Sequence, residues 1–561
     1  MAWIIILAVV LLLALGEPLF VILGSLAVLC FAVLSQLDGD VSLSLHLMRE
    51  IMEKIGDLAD KDVLLAIPFF VIAGAIMTKG EISGKLIGVA RALVGWLPGG
   101  LGVATVLACA FFAAISGSSP ATVIAIGSIM VPALIADRYN ENFSLGLVTT
   151  SGSLGILIPP SIPMIVYCLV KTSGEKIDVG ELFLAGVGPG LLISTMLIAY
   201  SMYSGAKFKV ASQSFSLREV GRACRDGVWA LSLPFVILGG IYSGIFTPTE
   251  AAAVSVIYAL VIEAFIHRNL TVGALIEVME ESARLMGALL IIMIMAMGFN
   301  AFLVDEKIPE AMALWLKSKA LGPFAFLLLV NLLLIVAGGV MDILSAIMIL
   351  VPLLAPVGES LGIEPIHLAI VFIVNLELGY MTPPIGLNLF VTASVFNKPL
   401  GQVIKSVLPT LGIMVVAVVI VTFVPTVQMG LVNVFRGESF YEPFPTGAPE
   451  AAPTVGIGVP EVGEKPEIAP KKKIKSLQDL TNEADDDDDD DDDEVDSKSP
   501  PPVKKPKIRS LEDLTNDAED EIEASNAPKV PAAKAAPKPK GIRSLSDLTD
   551  SADKELAKED E

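Results

Sequence analysis

A polar stretch interrupts a long apolar region in the first half of the chain. Residues 115–132 read ISGSSPATVIAIGSIMVP and lie between runs of leucine, valine, alanine and phenylalanine. Irregular backbone at membrane depth is tolerated only where it is buried in protein or lines a cavity, because an unpaired N–H or C=O in hydrocarbon is costly. The stretch therefore predicts a buried turn or a binding site.

The residue types in this stretch suit a cation. Gly117 and Pro120 break a helix and leave backbone carbonyls free beside several hydroxyl groups. Oxygen ligands without a fixed negative charge suit a hard monovalent cation such as sodium. The alternative is a proline-kinked helix whose hydroxyls bond back to their own backbone. The hydroxyls are those of Ser116, Ser118, Ser119 and Thr122.

Interruptions of this kind recur along the chain. They follow at residues 152–167 (GSLGILIPPSIPMIVY), 337–352 (AGGVMDILSAIMILVP) and 376–391 (LELGYMTPPIGLNLFV). The offset from Pro132 to Pro352 is nearly the same as the offset between the two Pro-Pro pairs. Broken segments in the same order in both halves indicate an internally repeated transporter whose site lies at the midplane, where the halves meet.

Two carboxylates lie in or beside the breaks of the second half, Asp342 and Glu377. An intramembrane carboxylate is a functional hypothesis by default, although either residue could instead cap a nearby helix end. Broken helices direct N-terminal amides at an anion. Because the basic residues fall mostly at segment edges, amide dipoles and sodium are expected to neutralise an anionic substrate.

The composition indicates a polytopic, all-α membrane protein. The 561 residues are 53% hydrophobic, with a mean hydropathy of +0.70 and a net charge of −22. Two candidate segments, 121–136 and 343–357, are too short for simple crossings and suit hairpins that enter and leave by one face. The candidate segments are 2–16, 18–36, 63–79, 98–115, 121–136, 143–170, 182–203, 228–247, 250–267, 285–304, 321–338, 343–357, 366–397 and 405–428.

Charge patterns divide the rest of the chain. The connection 207–225 has five basic residues against Glu219, which predicts a cytoplasmic position. Residues 45–62 suit an amphipathic helix on the membrane surface or a solvated connector. The tail from 437 is acidic and disordered by composition, with three evenly spaced SLxDLT repeats. The repeats predict either three docking helices for an unknown partner or a duplicated spacer.

Five blocks of sequence resemble the large membrane subunit of the tripartite ATP-independent periplasmic (TRAP) transporters, and their wording is most similar to the C4-dicarboxylate branch. The resemblance covers essentially residues 1–430. The blocks are AAISGSSPATVIAIGSIMVPAL (113–134), TSGSLGILIPPSIPMIVY (150–167), FLAGVGPGLL (183–192), GIFTPTEAAAV (244–254) and ELGYMTPPIGLNLFV (377–391).

The resemblance implies sodium-driven import of organic acids across the bacterial inner membrane. It implies an inverted-repeat, elevator-type fold with two re-entrant helical hairpins and two broken helices. Its expected partners are a periplasmic substrate-binding protein and a small four-span subunit, here a separate chain. No cofactor is expected apart from the coupling sodium.

The site residues follow from the breaks and from this resemblance. The residues expected to bind substrate are Ser116, Gly117, Ser118, Pro159, Pro160, Ser161, Gly338, Gly339, Pro383, Pro384 and Asn388. The residues expected to hold sodium are Ser119, Pro120, Thr122, Gly155, Asp342, Glu377, Gly379 and Thr382.

The expected organisation has six parts. They are N-terminal scaffold segments (1–62), a first repeat with hairpin and broken helix (63–205), a basic cytoplasmic connection (206–227), scaffold and connecting helices (228–304), a second repeat (305–430) and the acidic tail (437–561).

Three rival functions remain open to test. A stand-alone sodium/dicarboxylate symporter or exchanger would use the same repeats without a binding protein. An intramembrane enzyme with a serine of SGSSP as nucleophile is disfavoured, since the three histidines lie near segment ends and no base is apparent. A passive anion pore would not need oxygen-rich breaks in both halves.

Overall fold

A computed structural model describes the apolar part of the chain from residue 61 onward. The predicted segments before residue 61, apart from 21–22 and 24–26, and the tail beyond residue 445 with its three repeats lie outside the described residues. The described residues are 21–22, 24–26, 61–171, 174, 176–208, 214–305, 307–319, 322–383 and 386–445.

The described part is all-helical, and no strand occurs in it. Eight of its helices are long and apolar enough to cross a membrane, or nine if α8 and α9, which bend by 66° at Gly227, form one span. The prediction of an all-α multi-pass protein is therefore confirmed. The helices are α1 (Ala66–Lys79), α2 (Ile82–Val94), α3 (Gly100–Ser116), α4 (Ser119–Ala136), α5 (Glu141–Ser153), α6 (Ile162–Val170), α7 (Val179–Phe208), α8 (Leu217–Asp226), α9 (Val228–Tyr242), α10 (Pro248–Val261), α11 (Val272–Asp305), α12 (Ile308–Ser318), α13 (Pro323–Val340), α14 (Ile343–Ser360), α15 (Pro365–Gly379), α16 (Leu387–Val395), α17 (Leu400–Phe423) and α18 (Thr426–Arg436).

Two helix pairs and two interrupted helices contain the breaks that the sequence indicates. Helices α3 and α4, the first hairpin, are joined by Gly117 and Ser118. Gly117 has φ +59°, a left-handed conformation that glycine adopts without steric cost. Helices α13 and α14, the second hairpin, are joined by Met341 and Asp342. The first broken helix (α5 and α6) and the second (α15 and α16) each contain one Pro-Pro pair in the break.

Both ends of the first hairpin lie beside one end of α7. Gly99, before α3, packs so closely on this helix that a Cβ there would lie 2.4 Å from the carbonyl oxygen of Ser201. Phe143, which follows α4, pairs with Tyr200 and Phe208 at ring-centroid distances of 5.5 and 6.5 Å. The first hairpin therefore starts and ends at the Phe208 end of α7.

The ends of the second hairpin lie at the opposite end of the molecule. Phe324, at the start of α13, stacks on Phe423 with ring centroids 4.8 Å apart. Glu359, at the end of α14, forms a 2.7 Å ion pair with Lys171, which lies between α6 and α7. The two hairpins thus approach the interior from opposite ends, and the second half of each broken helix packs against the second helix of the other hairpin.

Helix α2 is an element that the sequence reading did not anticipate. The amides of Glu81, which precedes α2, and of Ile82, its first residue, donate to the carboxylate of Glu263 at 3.1 and 3.0 Å. Glu263 is completely buried and lies in the π-helical turn after α10. Gly80 makes room for this carboxylate, since a Cβ there would lie 2.1 Å from Glu263 Cδ. Glu263 therefore ties the joint between α1 and α2 to a neighbouring helix.

The basic connection also has more structure than its predicted bounds suggest. Helix α7 continues to Phe208, and residues 217–226 form the amphipathic helix α8. Ser216 caps α8, since its side chain accepts from the amide of Glu219. The positive charges predicted for a loop are therefore carried largely on a short helix.

Candidate functional site

The tip of the first hairpin packs directly against the break in the first broken helix. A Cβ on Gly155 would lie 2.5 Å from the carbonyl oxygen of Ser118 and 2.7 Å from Thr122 Oγ1. A Cβ on Gly117 would lie 2.8 Å from the carbonyl oxygen of Pro160. These approaches require glycine, because a side chain would overlap backbone that has no room to shift.

Two hydroxyl groups of this first tip, those of Ser116 and Thr122, are buried and bonded locally. Thr122 Oγ1 donates to the carbonyl of Ser118 at 2.8 Å and lies 3.1 Å from Ser116 Oγ. This is the back-bonding that a kinked helix would show. A hydroxyl that donates its proton keeps its lone pairs, so the bonds leave these oxygens able to accept a cation.

The tip of the second hairpin has the same relation to the second break. A Cβ on Gly379 would lie 2.6 Å from the Cα of Gly338, and one on Gly339 would lie 3.4 Å from the carbonyl oxygen of Thr382. Gly379 follows Gly155 by the offset of the two Pro-Pro pairs. The corresponding glycine of each broken helix therefore lies against one of the two hairpins.

Asp342 acts as a helix cap at this second tip. It precedes α14, and its Oδ2 accepts from the amide of Ser345 at 3.0 Å, while Oδ1 accepts from the Ser345 hydroxyl. The neighbouring amide of Ile343 donates to the Tyr380 hydroxyl at 3.0 Å. The capping alternative for Asp342 is thus realised, and the residue also lines the cavity described below.

Asn388 links the second broken helix to the first tip. Its Nδ2 donates to Ser119 Oγ at 2.6 Å, and both side chains are completely buried. Its Oδ1 has no hydrogen-bond partner among the described residues. An unsatisfied buried amide oxygen beside the first tip fits an additional ligand at this position.

Glu377 does not face the second tip. Leu376 and Gly379 contact Gly338, and residue 377 is turned about 100° from residue 376 around the helix. Its carboxylate instead accepts a 2.6 Å hydrogen bond from Ser153 Oγ in the first broken helix. The structure therefore turns Glu377 away from Gly338 and toward the first broken helix.

A cavity of about 400 Å³ lies between the two tips and two further helices. The first tip contributes Ser116–Pro120, and the second contributes Asp342–Leu344. Helix α1 contributes one wall between Val71 and Lys79, and α11 contributes another between Glu281 and Leu289. The cavity therefore joins both tips in one space of a size typical of small-molecule sites.

The charged residues of this cavity include two that sequence reasoning missed. Lys79 is the one cationic side chain among the described residues that line it, and Glu281 adds a carboxylate to that of Asp342. Lys79 Nζ forms a 2.8 Å ion pair with Glu277, one turn before Glu281. The only sequence signal was that Lys79 ends an apolar segment, which is typical of any membrane helix.

The remaining predicted residues do not line this cavity. Ser161 donates to the carbonyl of Ile156 across the first break at 2.5 Å, and Thr382 Oγ1 donates to the carbonyl of Leu378 at 2.8 Å. Pro384 lies outside the described residues. Those that the cavity lining does not include are Pro159, Pro160, Ser161, Gly338, Gly339, Pro383, Asn388, Thr122, Gly155, Glu377, Gly379 and Thr382.

Comparison with known proteins assigns the chain to a protein family. The sequence profile described as "Tripartite ATP-independent periplasmic transporter, DctM component" matches residues 6–427. The chain belongs to this family. It is therefore a TRAP permease component, a multi-pass inner-membrane transport protein and not an enzyme.

The names of two relatives state their substrates. The chain is 45% identical over 388 residues to the C4-dicarboxylate TRAP transporter large permease protein DctM of Pseudomonas aeruginosa, covering 69% of this chain and 90% of that protein. It is 40% identical over 372 residues to the isethionate TRAP transporter permease protein DctMQ of Oleidesulfovibrio alaskensis, covering 66% and 58%. Permeases similar to this TRAP permease therefore differ in substrate.

The fold also resembles a transporter of known structure. The crystal structure of the Alcanivorax borkumensis YdaH transporter aligns with a TM-score of 0.53 and 15% sequence identity, covering 76% of this chain and 99% of that one. At this identity the likeness concerns the fold of the TRAP permease alone.

Proposed function

We propose that the chain is the large permease of a sodium-driven importer of organic acids, specifically C4-dicarboxylates. The observation that carries the proposal is the cavity of about 400 Å³, which both hairpin tips share with α1 and α11. The 45% identity to a C4-dicarboxylate permease supports the substrate class.

The two hairpins are re-entrant, and together with the broken helices they form the moving part of an elevator. Each hairpin has both ends on one side of the molecule, the first beside Phe208 and the second beside Phe423. The inverted arrangement brings four helix ends to the interior, where their amides and carbonyls face a ligand. Helices α1 and α11 then belong to the scaffold against which this part slides.

The contact across the sliding surface supports this division. Gly74 of α1 faces the first tip so closely that a Cβ there would lie 3.0 Å from the carbonyl oxygen of Ser116. Small residues at a helix contact allow close approach without interlocking side chains, which suits a surface that must slide.

Sodium is held at each tip by neutral oxygens. At the first tip these are the hydroxyls of Ser116, Ser119 and Thr122 with nearby carbonyls, and Asn388 Oδ1 is unsatisfied beside them. At the second tip the oxygens come from the backbone around Gly339 and Thr382. The substrate carboxylates are bound by the backbone amides of the tips and by Lys79. To bind the substrate, Lys79 breaks its ion pair with Glu277 and forms one with a substrate carboxylate.

The chain works with two partners. A periplasmic binding protein delivers the substrate, and a small four-span subunit completes the scaffold. The name of the isethionate relative, a single permease protein DctMQ, supports a second permease component.

Uptake into proteoliposomes tests this function. The chain and its small subunit are reconstituted, and uptake of labelled succinate or malate is measured with and without a sodium gradient and with and without the cognate binding protein. The expected result is uptake that requires both, and replacement of Ser119 or Thr382 by alanine should weaken the sodium dependence. Uptake with sodium alone supports a stand-alone symporter, and uptake indifferent to sodium contradicts the sodium ligands at both tips.

A further inference from the structure

The buried carboxyl group of Glu377 lacks the hydrogen bonds that would satisfy both of its oxygens. It is completely buried, and no cation of the described residues pairs with it. Its Oε1 lies 2.6 Å from Ser153 Oγ, whose one proton is shared with the Thr150 carbonyl oxygen at 2.7 Å, while Oε2 has no hydrogen-bond partner among the described residues. Ionised or protonated, the group leaves one polar oxygen unsatisfied. A buried carboxylate without a compensating partner is strongly unfavourable.

The position of this pair matches the internal repeat. Glu377 follows Ser153 by the same offset as the second Pro-Pro pair follows the first. Gly155 at the first tip lies just after Ser153, and Gly379 at the second tip lies equally far after Glu377. Because the two residues are equivalent and in contact, the two broken helices meet at this pair, and Gly155 and Gly379, which are expected to hold sodium, each lie two residues further along the chain.

We propose that Glu377 is a shared counter-charge for the two sodium sites, one carboxylate that neither site coordinates and that stabilises a cation in both. This inference rests on the proposed sodium coupling. Coulomb attraction extends beyond contact distance in an interior of low dielectric, and the first tip offers oxygens without formal charge. A single negative charge between two cations lowers the cost of burying each of them.

A shared counter-charge and a direct sodium ligand differ in how their removal changes sodium binding. Removing a ligand weakens one ion site and lowers the apparent cooperativity of sodium. Removing a charge between the sites weakens both together and leaves the cooperativity unchanged. The half-saturating sodium concentration and the Hill coefficient therefore report different roles.

The test compares Glu377→Gln with wild type in the complex with the small subunit. Sodium dependence is measured twice, as dicarboxylate uptake and as the rise in melting temperature with sodium. The half-saturating sodium concentration should rise about tenfold or more in both measurements, with the Hill coefficient of wild type. Thr122→Val, which removes one hydroxyl at the first tip, should lower the Hill coefficient instead.

Two further variants control for folding and for charge. Glu364→Gln removes a carboxylate at the other end of α15 and should leave the sodium dependence unchanged. The double variant Ser153→Glu with Glu377→Ser returns a carboxylate to the same place from the other repeat with the buried volume conserved. It should restore sodium affinity toward wild type, which also tests the proposal if Glu377→Gln does not fold.

Three results would overturn the inference. An unchanged half-saturating sodium concentration in Glu377→Gln removes any electrostatic role. A Hill coefficient near that of Thr122→Val makes Glu377 a ligand of one site. A double variant with sodium affinity as low as that of Glu377→Gln excludes a charge effect. Failure of the proposed function is distinguished from these results by the wild-type protein alone, because its uptake would then not depend on sodium.

Discussion

At the scale of single residues, glycine decides how closely the tips approach the breaks. Gly155 and Gly379 hold equivalent places in the two repeats, and both face backbone atoms at distances that no side chain tolerates. Neither residue is needed for a left-handed turn, since neither has a positive φ. These glycines are therefore needed because they have no side chain, which leaves room for the tips to pack against the breaks.

Replacing Gly155 by alanine should displace the first tip. The added methyl group would lie 2.5 Å from the Ser118 carbonyl oxygen, and overpacking of this kind costs about 1–3 kcal/mol. We expect the half-saturating sodium concentration for uptake to rise about tenfold. Gly401→Ala is the matched control, because a Cβ there meets nothing within 4 Å. An equal effect of both variants would contradict the prediction.

Replacing Lys79 by glutamine should weaken substrate binding more than sodium binding. Lys79 is the cationic residue of the described cavity lining, and an anionic substrate loses that partner. We expect the KM for succinate to rise about tenfold, with the sodium dependence unchanged. Lys85→Gln removes a lysine whose ion pair with Glu81 is 3.7 Å long and partly exposed, and its KM should match wild type. A wild-type KM in Lys79→Gln would exclude Lys79 from the substrate site.

At the scale of elements, the start of α15 carries a pH-dependent contribution to stability. Burial raises the pKa of Glu364 to about 7, against the opposing effects of its hydrogen bond with the His367 amide and of Arg436. The folded protein therefore binds this proton more tightly than the unfolded chain, whose pKa is near 4.5. The contribution is complete below pH 4.5 and is lost as the pH rises through about 7.

Thermal unfolding in detergent at several pH values checks this effect. Between pH 5 and 8 the wild-type melting temperature should fall more steeply than that of Glu364→Gln, and the difference corresponds to at most about 3 kcal/mol. Glutamine keeps an oxygen that accepts the helix-capping bond, so the variant removes the titration and retains the cap. Parallel pH profiles for the two proteins would contradict the assignment.

The breaks could be predicted from the sequence, whereas the contacts between them could not. Gly117, Pro120 and the Pro-Pro pairs act on their own backbone, so local chemistry predicts where a helix ends. The inward walls of the cavity depend on which distant helices meet. Lys79, Glu281 and the Ser153–Glu377 pair are therefore known only from the structure, and Glu377 faces away from the tip with which its sequence position associates it.

At the scale of the whole molecule, the contacts of α7 assign a side of the membrane to the end of the described chain. Its Phe208 end leads into the basic residues 207–225, which favour the cytoplasm. At its other end Glu181 forms bidentate hydrogen bonds of 2.9 and 2.6 Å with Arg436. Glu442 then bonds back to Asn433 at 2.8 Å, so the chain stays at this end after α18.

Residues 437–445 should therefore be accessible from the periplasm. In a variant without native cysteines, Ser439→Cys should react with a membrane-impermeant maleimide in cells with a permeabilised outer membrane. Ser214→Cys, exposed in the basic connection, should react only after the inner membrane is opened. Labelling of Ser214→Cys before Ser439→Cys would show that the protein has the opposite orientation in the membrane.

The bond between Glu263 and the start of α2 has a mechanical consequence. The two amides that it holds belong to Glu81 and Ile82, directly after Gly80, so the joint of α1 and α2 is fixed in position by a carboxylate that belongs to neither helix. Both helices are thus anchored at their joint to the turn after α10, and we expect a displacement of that turn to move the joint with it.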